Sequence, residues 1–533
     1  MKSHKIVALI LAMVMLLALF TGCNTTASKE TKTNETQSGT SSESKKSNSA
    51  DKPITFPLAE PMELSVMYTL GNASYPVVDH VVWKKLQELS GFTFKTTEFA
   101  PADASEKMNL LMSSGEYSEV IFKCSKIDTN KYGADGLILP LEDLIRQYMP
   151  NLTAVLNERD AWNEVIAPDG HIYNLPQFND VSPNVGNGAG WWINKAWLDK
   201  LNLSMPTSLD ELYTVLKAFK EKDPNGNGKA DEIPMATFSD QEMLNILLSL
   251  TGEGLSYNDY WMVVDGQMEY LPATDFFKDT YLKFMNKLYS EGLVNQDLFT
   301  IDRDQFRASC AAEEVIYGFL CDSSCVYFAN EDEQLNWVLL PPFDSTNFSL
   351  GKGVSTGGLA LTDKCQHPDI VLSFFDYLYT QEGGALPRMG VAGESYKLYE
   401  DGTWEYDYDK MENPIYQGTL MGTSSVPALI PDMYYNLPAS VYTRHLNQQW
   451  HGEDGLGSKG TLVPPVTLSV EENDEYSVLF TDISAYMKNY AAECITGITD
   501  IDASWSEFQS TLKQMKVDRM VEIQRNAYAR AVG

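Results

Sequence analysis

Between residues 223 and 232 the chain reads Asp223-Pro-Asn225-Gly-Asn227-Gly228-Lys229-Ala-Asp231-Glu232. Oxygen-bearing side chains stand at the first, third and fifth positions and glycine at the sixth, which is how an EF-hand calcium loop opens. The spacing has a physical basis. In a tight loop alternate residues turn their oxygens toward one point, and Gly228 permits the sharp bend. Asp223, Asn225 and Asn227 offer side-chain oxygens, Lys229 its backbone carbonyl, and Asp231 and Glu232 two further carboxylates. The twelfth position is Pro234 instead of a bidentate Glu, and no second helical pattern follows. The expectation is therefore one structural calcium, not a sensor pair. A metal-free turn is the competing reading, because Asn-Gly and Asp-Pro favour turns by themselves.

A second chemistry lies in the aromatic residues, 10 Trp, 28 Tyr and 22 Phe. Flat rings stack on the apolar faces of pyranose sugars while polar groups at the edge bond the hydroxyls. Trp192, Trp261 and Trp404 are expected stacking faces, and Asp240 and Asp322 expected acceptors for hydroxyls. Ordinary packing competes for every large Trp. Adjacent Trp191 and Trp192 point opposite ways in an extended chain, so one of them is expected in the core. Other patterns dissolve on inspection. Gly353-Val-Ser355-Thr-Gly357 fits a nucleophile elbow, but a strand pattern follows where the elbow needs a helix. Cys365 and His367 lack a second pair for zinc. No Walker A or Rossmann glycine fingerprint occurs.

These residues must be held by elements that the periodicity outlines. Glu63–Leu70, Phe92–Phe99 and Glu119–Lys123 read as strands, and Asp79–Ser90 and Ala104–Ser114 as intervening helices stopped by Gly91 and Gly115. This order predicts an α/β body with a parallel sheet flanked by helices. Ligands in such sheets bind beyond the carboxyl ends of the strands. That directs attention to loops 71–76, 100–103 and 124–126, with Asn72, Tyr75 and Ser125 as expected ligand contacts. Further helices are predicted over Ser208–Glu221, with Ser208 and Glu211 as a capping box, and over Phe276–Glu291, Asp369–Gln381 and Ser504–Ala529. Acidic pairs such as Glu471-Glu472 and Asp474-Glu475 read as solvated surface.

The N-terminus carries export information. Lys2, His4 and Lys5 precede an apolar run, Ile6–Phe20, shorter than the ~20 residues of a membrane span and suited to a signal peptide. Thr21-Gly22-Cys23 resembles a lipobox, with Phe20 where Leu is usual, so residues 1–22 are expected to be cleaved and Cys23 lipidated. Residues 23–56 are mostly Ser, Thr, Lys, Glu and Asn and read as a flexible tether. The six later cysteines are irregularly spaced; a Cys321–Cys325 pair and unpaired buried thiols both remain open. The formal charge of −33 argues against nucleic acid and anionic lipid surfaces, and favours a neutral or aminated ligand over an acidic one.

Taken together, the lipobox, the tether and the early β-α-β-α-β pattern resemble the extracellular solute-binding lipoproteins of carbohydrate ABC importers. The segment Trp191-Trp192-Ile193-Asn194-Lys195-Ala196-Trp197-Leu198-Asp199-Lys200-Leu201 with Pro206-Thr207 is similar to a motif of that family, Asn194 replacing a frequent Arg. The calcium segment is similar to that of the large oligosaccharide-binding members, including alginate-binding proteins, and the ending from Trp505 to Tyr528 to their terminal helix. The resemblance implies a two-lobed periplasmic-binding-protein-like fold over 57–533, each lobe a sheet flanked by helices, with the ligand cleft between lobes. Lobe 1 would begin over about 57–180 and lobe 2 include about 181–350, later segments being shared. It implies a monomer, lipid-anchored at the outer face of the cell membrane, that captures a saccharide and passes it unchanged to the importer's transmembrane subunits, with calcium as a structural cofactor. A secreted glycoside-active enzyme and a surface adhesin are the alternatives.

Overall fold

The computed structural model describes residues 54–70, 76–100, 103–126, 128–179, 190–238, 240–256, 260–312, 314–322, 331–343, 349–350, 353–416, 426–451, 455–456, 461–464 and 466–532. Ten strands form its two main sheets. They are β1 (Met62–Thr69), β2 (Phe92–Phe99), β3 (Val120–Phe122), β4 (Leu175–Phe178), β5 (Gly190–Asn194), β6 (Ile233–Thr237), β7 (Tyr317–Asp322), β8 (Trp337–Leu339), β9 (Val354–Leu361) and β10 (Ala428–Leu429).

The first sheet runs in the order β10-β4-β9-β3-β1-β2. β1 pairs in parallel with β2 from Met62↔Phe92 to Thr69↔Phe99, and with β3 from Val66↔Val120 to Tyr68↔Phe122. β9 lies antiparallel between β3 and β4. Alternation decides which side chain goes where. Leu64, Val66, Tyr68, Phe92, Phe94, Val120 and Phe122 enter one core with helix Val81–Ser90, while Met67, Phe99 and Ile121 meet Met108 and Met112 on the other face. Both faces are covered, so β3 reads as an unbroken apolar run. The helices start and stop for local reasons. His80 Nδ1 accepts the Val82 N–H as an N-cap, and Gly91 (φ 78°) and Gly115 (φ 79°) supply left-handed stops.

The second sheet runs β8-β5-β7-β6, with β5 antiparallel to β7 and β8, and β6 parallel to β7. Its core gathers Trp191, Trp192, Ile193, Trp197, Phe219, Met235, Phe319 and Trp337 with residues from the C-terminal helices. The two cores interleave along the chain. One takes residues from 64 to 178 and from 359 to 429, the other from 191 to 340 and from 446 to 528. The chain therefore crosses between them three times, within 179–190, 341–358 and 430–445.

Some elements differ from the sequence expectation. Phe276–Leu282 is a π-helical segment leading into helix Lys283–Ser290, and Pro368–Phe375 passes through a 3-10 turn before a new helix starts at Gln381 under a Thr380 cap. The single terminal helix is two, Ile501–Gln514 and Val517–Val532, divided where Lys516 takes φ 67°. The acidic stretch at 471–475 opens the 27-residue helix Val470–Thr496, where Ser469 and Glu472 form a reciprocal capping box and the early carboxylates suit the positive end of the helix dipole. At Ser208 the hydroxyl does accept the Glu211 N–H, but the Glu211 carboxylate turns to the N–H and hydroxyl of Thr207. Cys124, Cys310, Cys365 and Cys494 are buried free thiols, and Cys325 lies outside the described residues.

Candidate functional site

β3 ends at Phe122, and Lys123 adopts a left-handed φ of 56° that turns the chain into the 3-10 turn Cys124–Lys126. Such backbone is uncommon outside glycine and collects at working sites. Strand β9 comes alongside with a register shift between Ser355 and Leu359. Gly357 sits in that bulge at φ 88°, and a Cβ there would lie 2.9 to 3.0 Å from Cβ, Cα and N of Ser125. Only glycine lets the two backbones approach so closely. Asn174, just before β4, ties the walls together. Its Oδ1 accepts the Gly357 N–H at 2.6 Å and its Nδ2 donates to Thr129 Oγ1 at 3.1 Å.

These walls surround a cavity of about 260 Å³ beyond the carboxyl end of β3. Glu164 and Tyr173 also line it. Tyr173 donates to Asp169 at 2.7 Å, and burial together with that carboxylate raises its pKa. Thr467 completes the lining from a different part of the molecule. It precedes helix Val470–Thr496, and its neighbour Val466 packs on the second core. The cavity is thus closed by chain belonging to both cores.

Of the residues expected to touch ligand, Ser125 is exposed and lines this cavity. Asn72 and Tyr75 lie outside the described residues, as does the side chain of Asp240, whose backbone begins helix Asp240–Thr251. The tryptophan expectations need correction. Trp192 is 1% exposed inside the second core and donates Nε1–H to the Asp322 carbonyl at 3.1 Å. Trp191 is buried too, so the expectation of one core ring becomes two, because the second sheet is covered on both faces. Trp261 is also 1% exposed, packs against Tyr270 and donates to Tyr476 Oη at 3.0 Å. Trp404 is buried in a small cluster, with one face stacked on Tyr434 and Nε1–H given to the Met433 carbonyl. Freeing one such ring exposes about 200 Å² at a cost of about 5 kcal/mol, so these faces belong to packing and not to a sugar. Asp322 is corrected likewise. It is buried and held by Arg307 in a two-point ion pair, Nε to Oδ2 at 2.8 Å and Nη2 to Oδ1 at 3.0 Å.

The Asp223–Glu232 loop lies between helix Leu209–Glu221 and β6. Asp223, Gly226 and Gly228 all have positive φ, at 47°, 80° and 76°. Asp223 accepts the N–H groups of Gly226 and Gly228, Asn225 that of Asn227, and Asn227 that of Lys229. The amide groups of Asn225 and Asn227 donate to Asp231 at 3.1 to 3.3 Å. Lys229 leaves the ring and pairs with Glu314 at 3.0 Å. Among the described residues no three acidic, His or Cys side chains meet closely enough to hold a metal by themselves. The expected set, however, also draws on amide and carbonyl oxygens. The fit to a cation rests on Glu232, whose Oε1 is buried without a hydrogen-bond partner. Burial raises its pKa first, and the carboxylates of Asp223 and Asp231 raise it further. A buried, unpaired oxygen beside two carboxylates calls for a hard cation.

Sheets flanked by helices around two interleaved cores, with a polar cavity at the strand ends, define a two-lobed binding protein. The chain belongs to the bacterial extracellular solute-binding protein family, whose pattern matches residues 93–385. It is a binding protein and not an enzyme. It is similar to the fructooligosaccharide ABC transporter substrate-binding protein FusA of Streptococcus pneumoniae, 27% identical over 509 residues that cover 89% of this chain and 91% of that protein. A structure of FusA in complex with kestose superimposes with a TM-score of 0.68 at 24% identity, covering 88% of this chain and 99% of FusA. FusA has also been solved as an EF-hand mutant in complex with fructo-nystose. An HMO-binding, ABC-transporter-associated solute-binding protein of Bifidobacterium longum infantis gives 0.74 at 23% identity over 88% and 99% of the two chains. The alginate-binding protein AlgQ2 without calcium ion gives 0.63 at 24% identity over 90% and 100%. At these identities the structural likenesses speak for the fold. Among the described residues no helix is long and apolar enough to cross a membrane.

Proposed function

We propose that this protein captures an extracellular oligosaccharide in the cavity between its lobes and delivers it, chemically unchanged, to the transmembrane subunits of an ABC importer. The observation that carries the reading is the cavity itself. It lies at the carboxyl ends of parallel strands, its lining is mainly polar, and it joins Ser125 and Asn174 of one core to Thr467 of the other. A ligand touching both sides favours lobe closure, because it gains contacts only in the closed arrangement. The saccharide class is supported by FusA and the HMO-binding protein, whose names specify saccharides. Attachment of Cys23 to lipid at the outer face of the cell membrane, after removal of residues 1–22, supplies the tether, and the protein acts as a monomer.

Calcium belongs to the same reading. Asp223, Asn225, Asn227, the Lys229 carbonyl, Asp231 and Glu232 would hold it, with the amide groups of Asn225 and Asn227 giving way at Asp231. The ion would offset two of the three charges on the neighbouring carboxylates and brace the connection from helix Leu209–Glu221 into β6.

Titration calorimetry against neutral oligosaccharides, followed by chromatography of each bound sugar after long incubation, tests the central claim. Saturable binding with no shorter products is expected. Progressive appearance of shorter sugars would overturn it, as would the absence of binding across a broad glycan array.

A further inference from the structure

The Asp223–Glu232 loop opens as an EF-hand loop does but lacks the twelfth-position carboxylate, because Pro234 stands there and Ile233–Thr237 runs on as β6. In an EF-hand that position carries a bidentate Glu. Here a carboxylate arrives from elsewhere in the chain. β7 lies parallel to β6, and the Ile233 N–H donates to the Ile316 carbonyl at 2.7 Å. This backbone bond brings Glu314, two residues before Ile316, alongside the loop. Its Oε1 accepts Asn227 Nδ2–H at 2.7 Å, and its Oε2 accepts from Lys229 Nζ at 3.0 Å. Both contacts bear on a cation. An amide side chain offers its oxygen to a cation only when its N–H groups are held elsewhere. Asn227 Nδ2 has two protons and now divides them between Asp231, at 3.1 to 3.2 Å, and Glu314. Asn227 Oδ1 accepts the Lys229 N–H at 2.8 Å and keeps a second lone pair. When Asp231 turns to a cation, Glu314 remains as the acceptor that holds Nδ2 and leaves Oδ1 on the loop side. Lys229 is an expected ligand through its carbonyl, while its side-chain charge opposes a divalent ion. Pairing with Glu314 offsets that charge.

We infer, resting on the calcium reading above, that Glu314 is a positioning residue of the calcium site. It stands where the missing twelfth-position carboxylate would be needed, not as a ligand but by fixing the Asn227 amide and offsetting the Lys229 side chain. Groups that hold a metal ligand in orientation set affinity nearly as strongly as the ligands themselves. Glu314 and Lys229 are both largely exposed, so as an ion pair alone they stabilise the fold little. Their effect should therefore appear in calcium affinity and not in the stability of the calcium-free protein. The arrangement joins the amino ends of β6 and β7, at the opposite end of β7 from Asp322.

The test uses the full chain, stripped of metal, with calorimetry against calcium chloride and melting curves in chelator and in calcium. Glu314→Ala should weaken calcium binding about tenfold or more, the range for removing a group that orients a metal ligand. Its melting temperature in chelator should stay near that of the natural protein, while the rise on adding calcium shrinks. A group that only braced the fold would lower both curves together. Glu314→Gln keeps an acceptor for Asn227 and loses the charge facing Lys229, so its loss should be smaller, about threefold. Lys229→Met keeps the backbone carbonyl. Alone it should bind calcium at least as well as the natural protein, and added to Glu314→Ala it should recover part of the lost affinity. Calcium bound by Glu314→Ala as tightly as by the natural protein would overturn the assignment. So would a melting curve in chelator that falls as far as the curve in calcium. A double variant no better than Glu314→Ala would overturn the part given to Lys229. If the natural protein shows neither heat nor a melting shift with calcium, the calcium reading fails and this inference fails with it.

Discussion

The Asp223–Glu232 loop and the cleft cavity are both built for binding, and they are assembled in opposite ways. The loop is one contiguous stretch in which Asp223, Asn225, Asn227 and Asp231 bond one another or nearby N–H groups within a few residues. The cavity draws Ser125, Asp128, Glu164, Asn174, Gly357 and Thr467 from segments far apart in the chain. A local motif keeps its chemistry wherever the fold carries it. A cleft has its chemistry only when two cores and three crossings are in register. The cavity should therefore be sensitive to packing changes that the loop ignores, and the loop to cation removal that the cavity tolerates.

The hardest blow to that separation is Gly357→Val. The new Cβ must push against the backbone of Ser125, in a φ that side chains avoid. A loss of roughly 3 kcal/mol or more in stability is expected from strain and overpacking, along with loss of saccharide binding by calorimetry. The rise in melting temperature on adding calcium should persist. Its disappearance in a folded Gly357→Val protein would show that loop and cavity are one unit.

Calcium removal probes the same separation from the other side. At a free concentration about a hundred times Kd, a bound ion stabilises by about 2.7 kcal/mol. A chelator should lower the melting temperature accordingly, Asp231→Asn should largely abolish the effect, and saccharide affinity should move less than about threefold. Identical melting curves with and without chelator would sink the calcium assignment. A collapse of sugar binding on chelation would instead dissolve the contrast between the two regions.

Asn174→Ala is a gentler cut. It leaves the Gly357 N–H without its acceptor in a buried wall, a cost of about 1–3 kcal/mol. Saccharide affinity should fall about tenfold through misplacement of the wall, and calcium affinity should not change. Equal affinity in natural and substituted protein would show that Asn174 does not shape the site.

The same contrast explains what could be read from the sequence. The early β-α-β-α-β unit and its glycine stops follow from local periodicity, and Phe92–Phe99 and Ala104–Ser114 match to the residue. The turn at Cys124 followed from the rule that ligands gather at strand ends. Glu164, Asn174 and Thr467 carry no local mark, because nothing in their own neighbourhoods says which distant segment they face. Gly357 did stand out, inside a glycine-serine pattern, but as a decoy for catalysis; its actual work is to let Ser125 come close. Trp192, Trp261 and Trp404 failed as sugar platforms for a related reason. A large ring suits a core as well as a saccharide, and only the tertiary neighbours decide. The division at Lys516 was hidden because apolar spacing continues across it on both sides.

The smallest expected effect is one of pH, and it runs in opposite directions in the two regions. Beside the cavity, His171 Nδ1 meets Glu142 Oε1 at 2.7 Å, and Glu142 Oε2 accepts the Ile172 N–H at 3.1 Å. This clamp holds the turn that leads to Tyr173 and Asn174. The hydrogen bond to Glu142 raises the His171 pKa above its ordinary 6.5. Burial works to raise the Glu142 pKa, but the bonds from His171 and Ile172 outweigh it and the value is lowered. A raised histidine pKa contributes stability that is complete below pH 6.5 and lost as pH climbs through the folded value. A lowered carboxyl pKa contributes stability that is lost only as pH falls through its own folded value. Between pH 6 and pH 9 the clamp should therefore weaken. The pair is largely exposed, so solvent screening leaves a few tenths of a kcal/mol. In the loop, Glu232 has its pKa raised by burial and by Asp223 and Asp231, so protons compete with calcium and calcium affinity should grow with pH. Melting at pH 6 and pH 9, with and without calcium, in the natural protein and His171→Gln separates the two. The calcium-free protein should lose a little stability on going to pH 9, and His171→Gln should not, while both should gain from calcium more strongly at the higher pH. A pH loss that persists undiminished in His171→Gln would remove the clamp from the account, and a calcium gain larger at pH 6 would remove Glu232 from the ion's surroundings.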